Sequence, residues 1–564
     1  MSSLSTLLLR RKKSLFQCFR YFNTSRYKST VTLPHAERER ALAALQNDLE
    51  ALRREDEDDD KDDDPSKEPL LELTDNPYER DRHGRGESFH TSQPPGLVVY
   101  PRTTAAVQQI VAACIQHGVP LVPFGGGTSL EGHVAAPHPY AISLDTSRYM
   151  NQIVHLPALN NDDDDDDDNN DDDDLPPDPY VIVQAGVTRQ QLQQALRPTG
   201  WQFVVDPGAP TATLGGMVAT SAAGTTTVRY GPMRENVLGL QAVLASDATA
   251  PIIHTGGTTT KNAAGYDLTR LLIGSEGTLG VITQATLRLW PVPASVTAGR
   301  IQFESLTQAA RAVALLRASG VDSLTRCELL DAASVQAFLT YQAQQQQQQQ
   351  QQSLSSSSDI STQLELLPTL FVELQGASDE ILAQQVDFVN TLLQDETPHP
   401  AVWATDADAR TNLWKCRHSL YYAAVASRPG GATGALVTDA CVGLRHLPAL
   451  LEATAADVQA QDELHGPCFG HAGDGSFHCI LAVRDDDDDA YWRKIHAVND
   501  ALLQRTLAVG GTVTGEHGIG VGKRQYLRQQ YGDTTVQAMR LLKQAWDPYH
   551  ILNPGKIFNC NGII

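Results

Sequence analysis

The chain lacks most of the short signatures from which a catalytic class is read. None of its eight cysteines forms a Cys-x-x-Cys pair, so neither iron–sulfur ligation nor a disulfide framework is indicated and reduced thiols are expected. There is no His-Glu-x-x-His of a zinc hydrolase and no Gly-Lys-Ser/Thr of a nucleotide triphosphate loop. No apolar run reaches the roughly 18 residues that a bilayer span requires, so no transmembrane segment is expected. A basic surplus is missing as well. The net charge is −23, which gives no basis for binding nucleic acid. That charge is concentrated in Glu55–Asp64, Asp162–Asp174 and Asp485–Asp489, and the rest of the chain is near neutral. Blocks of like charge repel themselves, so all three read as solvated surface insertions, as does Gln344–Gln352 with Ser355–Ser358.

Acid is absent before Glu37, whereas the first thirty residues carry Arg10, Arg11, Lys12, Lys13, Arg20, Arg26 and Lys28. Leu4, Leu8, Leu15 and Phe19 fall on one helical face, which with that charge makes residues 1–30 a mitochondrial transit peptide; a basic, frayed terminus is the plainer reading. Residues 31–93 read as a helical and acidic linker.

Order begins near Pro94. Leu97–Tyr100 has the pattern of a strand, Thr104–His117 that of a helix, and Leu121–Phe124 that of a second strand. The second strand runs into Gly125-Gly126-Gly127-Thr128-Ser129, where backbone N–H groups can cradle an anion. Leu130 stands where a dinucleotide fingerprint would place its third glycine. A second small-residue stretch holds Pro207, Gly208, Thr213, Leu214, Gly215, Gly216, Thr220 and Gly224, followed by Tyr230 and Gly231. As plain core it would forfeit most of its burial energy, at about 25 cal/mol per Å², so a large flat cofactor is expected to fill the space. A third segment carries Glu276, Gly280 and Ile282 into an alternating strand, Thr283–Leu289.

Two imidazoles and a carboxylate are a common ligand set for a divalent ion and leave a position open. His471 and His478 flank a Gly473-Asp474-Gly475 turn, and Glu516-His517 lies between glycines. Ordinary loop histidines are the alternative. Asp474 is the expected partner for a ligand histidine, with turn capping as its other role.

These motifs, with Asn553-Pro-Gly-Lys556, resemble the vanillyl-alcohol oxidase/p-cresol methylhydroxylase flavoproteins, and within them the mitochondrial group that oxidises D-lactate with cytochrome as acceptor. The resemblance covers roughly Pro94–Trp290 and Arg326–Phe558. It implies an α+β fold: a two-part FAD-binding domain of the p-cresol methylhydroxylase type over 94–292, interrupted by an acidic insertion at 160–178, then a substrate (cap) domain of antiparallel sheet and helices over 293–564, with a Gln/Ser-rich insertion at 342–362. The last segment, 546–564, would return to the flavin. Pro123, the Gly125–Ser129 loop and Thr213–Gly216 would hold or flank the pyrophosphate, Pro207, Gly208 and Glu276–Ile282 would line the cofactor, and Asn553 would approach the flavin. Thr128 stands where covalently flavinylated relatives carry His, implying non-covalent FAD. Arg417 matches the arginine that grips a substrate carboxylate, a bidentate task suited to guanidinium; a surface salt bridge is its other reading. Glu328 reads as structural.

Oxidising a 2-hydroxy acid removes a hydroxyl proton and passes hydride to flavin. With an alcohol pKa of roughly 16 and a histidine near 6.5, bare proton transfer would cost on the order of 13 kcal/mol. Zn or Mn on His471, His478 and Glu516 would lower that cost, and His517 could then serve as base. Because Gly434–Val442 offers Asp439 and no Lys or Arg, a short monocarboxylate is expected. The expected activity is therefore FAD-dependent oxidation of D-lactate to pyruvate, with cytochrome c as acceptor and peripheral membrane contact left open. D-2-hydroxyglutarate or glycolate oxidation, a non-redox transferase resembling alkylglycerone phosphate synthase, and a flavin-free metal hydrolase are the alternatives.

Overall fold

The computed structural model describes residues 33–58, 69–157, 177–349, 364–404 and 406–559. The expected transit peptide and most of the insertions at 160–178 and 342–362 lie outside them.

Three sheets organise these residues. The first is four-stranded, in the spatial order Leu71–Thr74, Leu97–Pro101, Ile142–Asp145, Leu121–Phe124; its last three strands run parallel. Helix Thr104–His117 makes the crossover, capped by the Thr103 side chain and ended by Gly118 in the left-handed conformation. It buries Val107, Ile110, Val111 and Cys114 against the sheet, the face that its periodicity predicts. The second sheet has five antiparallel strands, Tyr180–Gln184 and Val237–Val243 flanking the central Val281–Arg288. The third is antiparallel throughout and carries Ser295–Gln302, Thr369–Gly376, Leu324–Leu330, Cys468–Gly470 and Ser476–Val483 in adjacent positions. Two subdomains followed by an antiparallel-sheet domain is the α+β architecture expected.

Three readings of polar segments change. Residues 31–93 are not simply a linker. Helix His35–Asp58 buries Leu45 and Leu49, and Leu71–Thr74 forms the antiparallel edge of the first sheet; the acidic run beside them masks this apolar spacing. Asp485–Asp489 is not a free acidic insertion either. Asp488 caps helix Asp489–Ala508, and Asp487 accepts from Arg428 Nη1 at 2.6 Å and from the Arg484 N–H at 2.7 Å. Helix Ala332–Gln349 extends into the glutamine tract, because glutamine is a good helix former whatever its repetition.

The chain finishes where it began to order. Leu552 forms a parallel bridge with Leu121, whose N–H donates to Ile551 O at 2.8 Å, while the Asn553 N–H donates to Leu121 O at 2.8 Å.

Candidate active site

One cavity of about 340 Å³ runs between the sheets, with the glycine-rich loops at its walls and the histidine cluster also lining it. Gly125 and Gly126 are required by contact between loops: a Cβ on Gly125 would lie 2.2 Å from Thr213 Oγ1, and one on Gly126 2.7 Å from Thr211 O. The first two loops are thus pressed backbone to backbone. Of the expected cofactor residues, Pro123, Gly125–Ser129, Pro207, Gly208, Thr213, Gly215, Gly216, Thr220, Glu276, Gly280, Ile282 and Asn553 line the cavity. Leu214, Gly224, Tyr230 and Gly231 do not belong to its lining. Leu214 is core, a Cβ at Gly224 would strike Asp206, Tyr230 donates its hydroxyl to Gln375, and Gly231 turns the chain at φ 74° over Glu235. Ser129 Oγ is buried in the wall without a hydrogen-bond partner, as suits a loop that donates to a phosphate.

Glu276 does more than line the wall. Held at φ 53°, it accepts the Ile519 N–H on Oε1 at 2.6 Å and the Gly520 N–H on Oε2 at 2.8 Å. Asn553 donates to the Glu276 carbonyl at 2.8 Å and to the His133 carbonyl at 3.3 Å, closing the wall from the C-terminal side.

The hairpin Cys468–Gly470 to Ser476–Val483 presents His471 and His478, with ring centroids 5.9 Å apart and planes perpendicular. Each imidazole has its Nδ1 taken: His471 by Glu328 Oε1 at 2.7 Å, His478 by the Thr438 carbonyl at 2.9 Å. Each therefore turns Nε2 toward Glu516 Oε1, at 3.5 Å and 3.0 Å respectively. An imidazole fixed at Nδ1 with a free Nε2 is how metal-ligand histidines are oriented, so His471, His478 and Glu516 form a fitting donor set for a divalent ion. Among the described residues, the group whose ligand atoms all lie within 4.8 Å of one another is Asp439, His478, Glu516 and His517, which shares two of the three expected ligands and leaves out His471. The Asp439 Oδ2 already accepts the N–H groups of Glu516 at 3.0 Å and His517 at 2.8 Å and the Thr514 hydroxyl at 2.6 Å, while its Oδ1 is buried without a hydrogen-bond partner.

The sequence makes Glu328 structural and Asp474 the histidine's partner; the structure gives the partner's place to Glu328. Fully buried on strand Leu324–Leu330, Glu328 also accepts Arg417 Nε at 2.6 Å. Burial pushes its carboxyl up, but His471 and Arg417 outweigh that and hold it at about 2. His471 is correspondingly raised: burial opposes its charge, and Glu328 with Glu516 overcomes the opposition. A proton or a divalent cation can supply the positive charge that these carboxylates surround. Asp474 instead sits in the turn, its acidity weakened to about 7 by burial.

Arg417 is no surface salt bridge. It is buried on helix Ala407–Ala426, lies over the Phe469 ring at 4.9 Å, and lines the cavity beside His418 and Tyr421. His517 stacks on His478 at 5.0 Å with planes 8° apart. Its Nδ1 is buried without a hydrogen-bond partner, 3.9 Å from Asp439 Oδ2, and its Nε2 is 3.7 Å from Glu516 Oε1. Burial lowers its pKa against the pull of Asp439, so the ring is neutral near pH 7 and able to accept a proton. Sequence reasoning missed Glu131 and Lys523, which lie behind this loop. For Glu328 the available signal was an acid set among Cys327, Leu329 and Leu330 in a strand whose residues are nearly all buried.

Residues 95–250 match the FAD binding domain family, and residues 292–557 match the family of FAD linked oxidases, C-terminal domain. The chain is 40% identical over 482 residues to a Danio rerio protein named probable D-lactate dehydrogenase, mitochondrial, covering 85% of this chain and 87% of that one. It is 34% identical to an Arabidopsis thaliana protein named D-lactate dehydrogenase [cytochrome], mitochondrial, over 86% of this chain and 77% of its relative. In fold it is similar to p-cresol methylhydroxylase with substrate bound, at a TM-score of 0.69 and 15% identity over 95% of this chain and 100% of that structure.

Proposed function

The chain belongs to the FAD-linked oxidases, and from that membership we propose that it oxidises a D-2-hydroxy acid, D-lactate to pyruvate, with non-covalent FAD and a divalent ion, Zn or Mn. The observation that carries this reading is the single cavity lined by both the glycine-rich walls and the Arg417–His471–His478–Glu516–His517 cluster. When bound, FAD would accept the C2 hydrogen with its electron pair, and the ion would make the substrate hydroxyl more acidic.

The chain's own residues divide the remaining work. Arg417, its Nε fixed by Glu328, offers its terminal nitrogens to the substrate carboxylate and so sets which face of C2 is presented. His517 Nε2 takes the hydroxyl proton, and burial, by lowering its pKa, keeps the ring neutral and open to that proton. Phe469, Val437 and Ile480 line this region and exclude water. Gly434–Val437 and Thr438–Val442 bring in no cation for a second carboxylate, which favours a monocarboxylate. The mitochondrial location follows its relatives, and the Arabidopsis thaliana relative is named as a cytochrome enzyme, which supports cytochrome c as the proposed electron acceptor. Among the described residues no helix is long and apolar enough to cross a membrane.

Anaerobic addition of D-lactate to the purified protein is expected to bleach its flavin absorbance, while L-lactate leaves it unchanged. Exhaustive chelation is expected to slow the bleaching at least tenfold, roughly the effect of losing Lewis-acid assistance. A colourless protein, or a flavin indifferent to hydroxy acids, would refute the oxidase reading. Bleaching untouched by chelation would remove the ion alone.

A further inference from the structure

The segment Thr514–Val521, which carries Glu516 and His517, is gripped at both ends by acids from different domains. At its start, Asp439 of the C-terminal domain accepts the Glu516 and His517 N–H groups and the Thr514 hydroxyl. At its end, two acids of the flavin-binding domain take over. Glu276 accepts the Ile519 and Gly520 N–H groups, and the Glu131 carbonyl accepts the Val521 N–H at 2.8 Å. A Cβ on Gly520 would lie 2.0 Å from Glu131 O, and one on Gly522 2.3 Å from Glu131 Oε2, so the chain is pressed onto Glu131 without room for a side chain.

Lys523 joins the two grips. It is buried, with Nζ 3.0 Å from Glu131 Oε1 and 3.5 Å from Asp439 Oδ2. Burying an ammonium is costly unless it is paired, and removing one member of a buried ion group leaves the others uncompensated. Here the uncompensated groups would be Glu131 and Asp439, and Asp439 is the acceptor that fixes the backbone of both Glu516 and His517. Neither Lys523 nor Glu131 lines the cavity, and their hydrogen-bonded path to Glu516 and His517 runs through Asp439.

We propose that Lys523 is a positioning residue: by bridging Glu131, next to the flavin-domain glycine loop, to Asp439, it sets the placement of Glu516 and His517 across the domain junction. The inference rests on the roles given above to those two residues. It makes the geometry of the ion-and-base loop depend on the loop that lines the cofactor cavity.

The test uses the FAD-containing protein with Lys523→Met, which keeps the stem and removes the charge, and Lys523→Arg, which restores charge. Hydrogen exchange of the peptide spanning 512–522 reads the Glu516 and His517 N–H groups directly, with no need of ion or substrate. The expected result for Lys523→Met is at least tenfold faster exchange in that peptide with FAD content retained. Mn²⁺ affinity should weaken by about 10- to 100-fold, the usual effect of losing a group that orients ligands, and kcat should fall by about tenfold or more with KM within about threefold. Lys523→Arg should recover part of each. Exchange equal to wild type overturns the proposal, as does loss of FAD and of global protection together, which would mean a merely structural lysine. Should Lys523→Met not fold, Glu131→Gln cuts the same bridge from the flavin side, and unchanged exchange at 512–522 there overturns it equally. If no hydroxy acid is oxidised by the wild type, the exchange result still stands on its own.

Discussion

At the scale of single residues, Glu328 is the most consequential group in the site that does not face substrate. One carboxylate oxygen orients His471 and the other Arg417, so one buried charge places both a candidate ligand and the candidate carboxylate grip. With its carboxyl held at about 2 against a usual value of 4.5, it is ionised in the folded state at pH values where the unfolded chain has begun to bind the proton. A depressed acid stabilises the fold above the unfolded pKa and loses that contribution as pH falls through the folded one. For Glu328 the contribution is about 3 kcal/mol at pH 7, shrinking to about 1 kcal/mol by pH 3. Urea unfolding of wild type and Glu328→Gln at the two pH values measures it. A stability difference that does not narrow on acidification would show that the ion group acts otherwise. The same variant should raise KM for the hydroxy acid by about tenfold through a loosened Arg417.

At the scale of elements, the legible parts are those whose information is local. Helix Thr104–His117 and strand Leu121–Phe124 have the bounds their apolar spacing predicts, and the glycine loops are visible because so many small residues in a row leave space for a ligand. The Glu131–Lys523–Asp439 bridge was not legible. Its members lie far apart in the chain, and a buried lysine or glutamate has the same letter as an exposed one. Nor was strand Leu71–Thr74, since four residues beside an acidic run have too short a pattern to stand out.

The glycine loops also give a test that separates packing from ligand contact. Gly125 meets Thr213 where a Cβ would be, whereas nothing lies within 4 Å of a Cβ on Gly208. Gly125→Ala is therefore expected to lower the melting temperature of the apoprotein by several degrees, the effect of roughly 1–3 kcal/mol of overpacking. Gly208→Ala should leave the apoprotein melting unchanged and reduce FAD stoichiometry. Equal apoprotein melting for the two variants would contradict the loop-to-loop contact.

At the scale of the whole molecule, the two domains are tied by charge as well as by shape. Arg326 on the third sheet reaches Asp206 of the flavin domain at 3.2 Å and Glu373 at 2.8 Å, with its guanidinium 4.8 Å over the Trp414 ring. Asp206 in turn accepts the Thr225 hydroxyl at 2.6 Å and the Thr226 N–H at 3.2 Å, so this contact shapes a wall of the cavity. Arg326→Met strands two carboxylates and is expected to cost about 3–5 kcal/mol in denaturant unfolding, with weaker FAD retention. An unshifted unfolding midpoint would mean that the Arg326 contact is not needed to hold the domains together.

The closing contact at Leu121 has a consequence in time. Asn553 lies 420 residues beyond His133, whose carbonyl it meets, and synthesis proceeds from the N-terminus. Both glycine loops are therefore made long before the residues that seal them. A chain cut before Ile551 would carry every glycine loop and lack the residues that seal them, and it is expected to retain less flavin, and less yellow colour, than the full chain.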